Sequence, residues 1–330
     1  MMETIKITRE SGIPLMGAIQ FGIIDRGTNL LQIRATTICN LNCPFCSTDA
    51  GPNSKTHKTT YSVDIDYLID WVKEVVKYKG GKNIEANLDS VGEPFVHKDF
   101  IELAKKVADI EGIYKISMQS NGTLVKKEQI DELDSIGIPI RINLSIHSTD
   151  KEEAKELAGN ENYEITQIVE LAKYINSKKN IELLLAPVWL PGLNDKGIGN
   201  IVELAKELKC LIGIQKYEIY KYSRKMKKAK NITLWKFYKK LEEWEKEHNT
   251  QLKLDPKIFK FEKMTRFPKT MDVNQKVYAE IKAPGWIKGQ MIGVANQRCV
   301  TINKCNKPIG STAKVKIVQN KNNIYLANQL

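Results

Sequence analysis

A chain of 330 residues with 42% hydrophobic and 27% charged residues can bury a real core, which excludes wholesale disorder and a disulfide-stapled miniprotein. Its length allows one large domain with a smaller one attached. The net charge of +12 is segregated: residues 1–215 hold 25 Lys and Arg against 30 Asp and Glu, a net of −5, whereas residues 216–330 hold 26 against 9, a net of +17.

Segregation over one third of the chain predicts a polyanionic partner, nucleic acid ahead of a membrane surface. No apolar run approaches the roughly 20 residues that span a bilayer, and residues 1–10 lack the basic-then-apolar order of a secretory leader. The expectation is a cytoplasmic protein with no membrane partner. In that reducing compartment its six cysteines are metal ligands or catalytic thiols rather than disulfides.

After a preamble over residues 1–30, apolar β-rich runs near 31–37, 83–90, 113–120, 138–146, 181–188 and 211–219 read as strands. Between and after them, apolar residues at three- and four-residue spacing predict helices over 67–79, 100–108, 127–135, 165–175, 201–208 and 234–247. This alternation predicts right-handed βαβ units and an α/β fold, a partial (β/α)6 parallel barrel over residues 31–250, with ligands gathered at the strand C-termini. Residues 251–271, with Pro256 and Pro268, read as a linker. Residues 272–330 then change to five short alternating runs separated by turns, predicting a small antiparallel β-barrel.

Directly after the first expected strand stands Cys39-Asn-Leu-Asn-Cys43-Pro-Phe-Cys46. Three thiolates on one loop can each ligate a different iron of a [4Fe–4S] cube, leaving the fourth iron without a nearby protein ligand. Structural zinc requires a fourth ligand, and the nearest candidate, His57, sits on a polar stretch. Of the other cysteines, Cys210 begins an apolar run and reads as a core residue. Cys299 and Cys305 could close a hairpin face, receive an intermediate covalently or pack, with packing preferred.

This cysteine loop, with Phe45 just before the last thiol, resembles that of the radical S-adenosylmethionine superfamily. The resemblance continues in Ser90-Val91-Gly92-Glu93-Pro94, similar to the family's Gly-Gly-Glu-Pro element with Val91 in place of its first glycine. It also covers Gln119 to Leu124, Asn143 to His147 and Val188 to Asp195. It implies a [4Fe–4S] cluster on Cys39, Cys43 and Cys46. It also implies S-adenosylmethionine held by Phe45, Gly92, Glu93, Pro94, Ser120, Asn121, Ser145, His147 and Val188, with Glu93 at the methionine amino group. The implied chemistry is a 5′-deoxyadenosyl radical, made with one electron from a ferredoxin- or flavodoxin-like donor, that takes hydrogen from substrate.

Two basic segments point to that substrate. Residues 216–230 carry seven bases, one acid and three tyrosines, and Lys216, Tyr220, Lys221, Tyr222, Arg224, Lys225, Lys227 and Lys228 are candidates for phosphate contact and base stacking. The tail from Asp272 resembles the TRAM domain, a small RNA-binding barrel, over residues 276–280, 285–295 and 309–327, which adds Lys288, Arg298, Lys314 and Lys316. The same arrangement occurs in tRNA methylthiotransferases, but residues 1–38 contain none of the cysteines of their second, sulfur-donating cluster. The expected function is therefore modification of a nucleotide in tRNA or another structured RNA by one-cluster radical chemistry, not two-cluster methylthiolation. The alternative is a radical enzyme acting on a protein, peptide or metabolite.

Overall fold

The computed structural model describes residues 2–330. In chain order the strands are β1 (Glu3–Ile7), β2 (Gly22–Asp25), β3 (Leu30–Arg34), β4 (Thr59–Val63), β5 (Ile84–Asp89), β6 (Ile113–Ser120), β7 (Ile140–Leu144), β8 (Ile181–Leu185), β9 (Val188–Trp189), β10 (Leu211–Ile212) and β11 (Gln215–Lys216). The helices are α1 (Ile65–Tyr78), α2 (Phe100–Ala108), α3 (Lys127–Asp134), α4 (Lys151–Ala158), α5 (Ile165–Asn176), α6 (Asp195–Leu208) and α7 (Leu234–His248). The tail adds β12 (Lys276–Pro284), β13 (Gln290–Ala295), β14 (Arg298–Asn303), β15 (Thr312–Gln319) and β16 (Leu326–Gln329). The main sheet has the order β10-β8-β7-β6-β5-β3-β2, so the α/β expectation holds, with β2 added antiparallel to β3 at one edge.

The expected strand at 181–188 is split because Pro187 cannot donate to a ladder. β8 instead pairs with β10, and β9 separately with β11. Helix α6 begins six residues earlier than its apolar period suggests, since Gly197 and Gly199 hide its first turns from a propensity reading. Helix α4 was not expected at all: its eight residues include five charges, and it is defined by its ends. Asp150 caps it by accepting from Glu153 N at 2.9 Å, and Gly159 closes it in the left-handed region at φ 60°.

By contacts the chain divides into two interleaved units. The first comprises residues 2–39, Ser54–Ile116 and Phe261–Leu330. It holds the closed barrel β12-β13-β14-β16-β15, as expected, with one difference: β14 and β16 are parallel. Asn322 and Asn323, both at positive φ, turn the chain back before β16 and permit that pairing. Alternation fills the barrel with Val277, Ala279, Ile281, Val300, Ile302, Val315, Ile317 and Tyr325. The same unit ties this barrel to N-terminal residues. Cys299 N donates to Met16 O at 2.9 Å, Tyr325 N to Gly17 O at 2.8 Å and Tyr61 Oη to Pro284 O at 2.8 Å. Lys79 and Asp25 form a fully buried ion pair at 2.9 Å that also bonds Thr265 O and Phe267 N, pinning the stretch expected as a linker.

The second unit comprises Asn40–Asn53 and Ser117–Lys260. Its core lies beneath the amphipathic faces of α3, α5 and α6, through Ile130, Leu133, Ile168, Leu171, Ile175, Ile198, Ile201 and Val202. Helix α7, capped by Thr233 on Lys236 N, buries Phe237, Leu241 and Trp244.

Candidate active site

In the first unit the chain leaves β3 through Thr36, Thr37 and Ile38 to reach Cys39, and the turn after β5 is bonded onto this stretch. Ser90 Oγ donates to Thr36 O at 2.7 Å and accepts from Gly92 N at 2.9 Å, while Glu93 N donates to Ile38 O at 2.8 Å. A Cβ on Gly92 would stand 2.2 Å from Ile38 O, so only glycine permits this approach. The steric demand falls on Gly92, which is why Val91 is accommodated beside it. Glu93 is 2% exposed, and its Oε1 accepts from Phe95 N at 3.1 Å, capping a short 3-10 turn over Pro94–Val96. A carboxylate buried at a strand end is suited to a cationic hydrogen-bond donor.

In the second unit, residues 40–53 form a loop built of turns that carries Cys43 and Cys46, with Cys46 N donating to Cys43 O at 3.1 Å. Cys39, Cys43 and Cys46 are all half-buried residues carrying thiols, not disulfides. Cys43 and Val188 pack on a cluster of Phe45, Leu157, Leu190 and Tyr217. Gly159 lets the end of α4 meet this loop, where Asn42 N donates to Ala158 O at 3.1 Å. Asn121, just past β6, donates to Asn40 Oδ1 at 3.0 Å and accepts from Thr123, whose hydroxyl in turn accepts from Asn40. Ser120 is buried, and its carbonyl accepts from Ser145 N at 2.8 Å. Among the described residues no three His, Cys, Asp or Glu side chains converge on one ion, as zinc would require. An iron–sulfur cube does not need that, since each thiolate takes a different iron.

His147 stands edge-on to Phe45, with ring centroids 4.9 Å apart. Val188 N donates to His147 Nδ1 at 3.1 Å, which leaves the ring proton on Nε2. Asn194, fully buried and not foreseen from the sequence, holds this corner by donating to the carbonyls of His147 and Val188 and accepting from Leu190 N. Burial lowers the His147 pKa from 6.5 to about 4. The unfolded chain therefore binds the extra proton first, and the stability present above pH 6.5 is lost as pH falls toward 4. Between pH 7 and 5 the cofactor-free protein should lose about 2 kcal/mol more unfolding free energy than His147→Gln. Denaturant titrations at the two pH values check this, and equal losses would contradict it.

One face of each unit's strands is polar, a pattern legible as period-two alternation but absent from the expected site. In the first unit Gln32 and Arg34 on β3 reach Asp89 on β5 at 3.0 and 2.7 Å. In the second, Arg141 and Asn143 lie on one face of β7, and Asn143 Oδ1 is buried with no hydrogen-bond partner among the described residues. Such an orphaned acceptor suits a ligand hydroxyl or amine.

The basic residues divide into open and engaged. Tyr220, Lys221, Tyr222, Lys225, Lys227, Lys228, Lys288 and Lys314 are exposed, and Lys316 is half-buried. Three of the expected contact residues are engaged within the protein. The Arg224 guanidinium is paired with Asp49 at 2.6 Å and donates to Cys43 O and Ala50 O, so its donors are directed at the cysteine loop. Arg298 is buried over the Phe267 ring and donates to the carbonyls of Gln297 and Pro268. Lys216 is held by Glu218 at 3.0 Å. Of the remaining cysteines, Cys299 and Cys305 are buried, burial pushing the Cys299 thiol up, and Cys210 is half-buried with its thiol pushed up to about 11.

A family model described as the radical SAM superfamily matches residues 33–205. An uncharacterized protein of Methanocaldococcus jannaschii is 38% identical over 341 residues, covering 96% of this chain and 78% of its own length. A GTP 3′,8-cyclase of Alkaliphilus metalliredigens is 32% identical over 132 residues, 40% of this chain and 39% of that enzyme. Among solved structures, Streptococcus suis SuiB bound to S-adenosylmethionine shares the fold at a TM-score of 0.50 and 18% identity, over 75% of this chain and 52% of SuiB. The chain thus spans about two fifths of the cyclase and half of SuiB.

Proposed function

We propose, from the premise that this chain belongs to the radical SAM superfamily and uses a [4Fe–4S] cluster and S-adenosylmethionine, that it is a cytoplasmic enzyme modifying a nucleotide of tRNA or another structured RNA. When bound and reduced, these cofactors supply abstraction of a hydrogen atom from an unactivated C–H bond. Cys39, Cys43 and Cys46 would hold three irons. Buried Glu93, followed by Pro94 and placed by the close approach that Gly92 allows, would accept from the methionine ammonium group. Phe45 and Val188 would pack against the adenine, while Ser120, Asn121, Ser145 and neutral His147 would bond the ribose and carboxylate. A reductant is required, and a ferredoxin- or flavodoxin-like protein fits that need.

Glu93→Gln tests the cofactor assignment. Losing one charge-assisted hydrogen bond should weaken S-adenosylmethionine binding about ten- to a hundredfold, with the cluster absorption unchanged. Equilibrium dialysis checks it, and undiminished affinity would return Glu93 to a turn-capping role.

The RNA reading is carried by the outer face of the small barrel, which supports the resemblance to a TRAM domain. Lys276 lies directly across from Lys316, and Tyr278 across from Lys314. Like charges directly opposed on a sheet are destabilising, so this arrangement suits an anionic ligand that offsets the repulsion. None of the three lysines has an ion-pair partner among the described residues, and Tyr278 is 67% exposed, a platform for stacking. Exposed Tyr220 and Tyr222 are interleaved with Lys221, Lys225, Lys227 and Lys228 in the same style. Filter retention of transfer RNA against salt tests this reading. The likeness to a GTP 3′,8-cyclase favours a second one, a free purine nucleotide as substrate. Nucleotide binding without RNA retention would select it.

A further inference from the structure

The loop that presents Cys43 and Cys46 contains no helix or strand; its own amides reach Cys43 O, from Cys46 N at 3.1 Å, and Cys46 O, from Asp49 N at 3.4 Å, and its further donors come from elsewhere in the fold. A single residue far along the chain provides most of them. Arg224 N donates to Cys46 O at 2.9 Å. Its Nη1 donates to Cys43 O at 3.2 Å and its Nη2 to Ala50 O at 2.8 Å, and its Nε binds Asp49 Oδ1 at 2.6 Å. Next to it, Ser223 Oγ donates to Ser47 O at 2.8 Å. The Asp49 side chain is 3% exposed and that of Arg224 15%, so the pair is shielded from water. Behind Arg224, buried Tyr217 accepts from Met226 N at 3.0 Å and donates to Arg224 O at 3.3 Å, which fixes the guanidinium's approach.

The planar fork of arginine is the feature that matters. It sends three donors in fixed directions to three points on the loop, which the single ammonium of lysine cannot match. The contacts join residues 43, 46, 47, 49 and 50, the whole span around the last two thiols. None of them involves a sulfur atom. The brace therefore shapes the backbone from which the thiols project.

We infer that Arg224, set by Asp49, is a positioning residue that holds the cysteine loop in its ligand-presenting shape before the cluster is inserted. The inference rests on the reading of Cys43 and Cys46 as cluster ligands, but the brace itself is measurable without a cluster. Hydrogen exchange on the full-length, cofactor-free protein is the first readout, and the rate at which a chelator strips iron from the reconstituted protein is the second.

In Arg224→Met the amides of residues 43–50 should exchange about tenfold faster, with those elsewhere in the chain unchanged, and iron should be lost about tenfold faster. Arg224→Lys should fall between wild type and Arg224→Met. Asp49→Asn is the safeguard should Arg224→Met not fold. Asn tolerates the positive φ of 56° at this position, so this variant removes only the charge and should loosen the same amides to a smaller degree. Unchanged exchange at 43–50 in both variants would overturn the inference, as would acceleration spread over the whole chain. Faster exchange confined to 43–50, together with full iron content in Cys43→Ala, would uphold the brace while overturning the ligand reading.

Discussion

Cys43→Ala is expected to leave the anaerobically reconstituted protein without a stable [4Fe–4S] cluster and to abolish reductive formation of 5′-deoxyadenosine. The reason is stoichiometric. Each thiolate of a three-cysteine loop serves a different iron, so no neighbour can take over the lost position. The effect should exceed the roughly 10–100-fold penalty of substitutions around, rather than on, a metal's ligands. The other thiols are poor substitutes: Cys299 and Cys305 are buried in the small-barrel unit, burial keeps the Cys299 thiol protonated, and burial pushes the half-buried Cys210 thiol up to about 11. Alanine is smaller than cysteine and Cys43 lies at the margin of its apolar cluster, so the fold should survive. Iron content, visible absorption and nucleoside chromatography read the result together, and an intact cluster in Cys43→Ala would remove the assignment.

The second large effect concerns RNA. If about four to six bases neutralise phosphates, the logarithm of the binding constant should fall against the logarithm of salt with a slope of about −3 to −5. Replacing Lys276, Lys314 and Lys316 with glutamine should flatten that slope by about 2 to 3 and weaken binding on the order of a hundredfold near 0.1 M salt. Tyr278→Ala should cost a further ~1–3 kcal/mol with the slope unchanged, because stacking releases no counterions. Point substitutions are the right instrument. Deleting the tail would break the bonds that Met16, Gly17 and Tyr61 make to it. Lys276, Tyr278 and Lys314 are exposed, and Lys316 half-buried, on the outside of the barrel, so their replacement leaves its core intact. A slope near zero in the wild type, or one untouched by the triple substitution, would favour the nucleotide reading.

The cysteine loop and the Glu93 turn stood out as candidates because the chemistry proposed for them requires fixed local spacing, and local spacing is what a sequence displays. The βαβ alternation was legible for the same reason, through period. Long-range partnership was not. Arg224 looks like the lysines around it, and nothing local reveals that Asp49, 175 residues away, claims its guanidinium. Arg298 likewise opens a strand whose next four residues are buried, and its partners Gln297 O and Pro268 O are backbone atoms, which carry no side-chain signature. Helix α4 was invisible because its apolar stripe is only Ala154, Leu157 and Ala158, and caps at Asp150 and Gly159 set its ends. The polar faces of β3, β5 and β7 were visible as alternation but went unused, since a polar position reads as solvent-facing until the sheet shows otherwise.

The central claim, that this radical SAM chain modifies a nucleotide in RNA, meets its most direct test in mass spectrometry of nucleosides. Transfer RNA from cells lacking the protein would be digested and compared with RNA from cells expressing it and from cells expressing Cys43→Ala. The account predicts at least one modified nucleoside that is present with the wild-type protein and missing in both other samples. Identical nucleoside profiles in all three, from cells whose purified wild-type protein still cleaves S-adenosylmethionine, would contradict it.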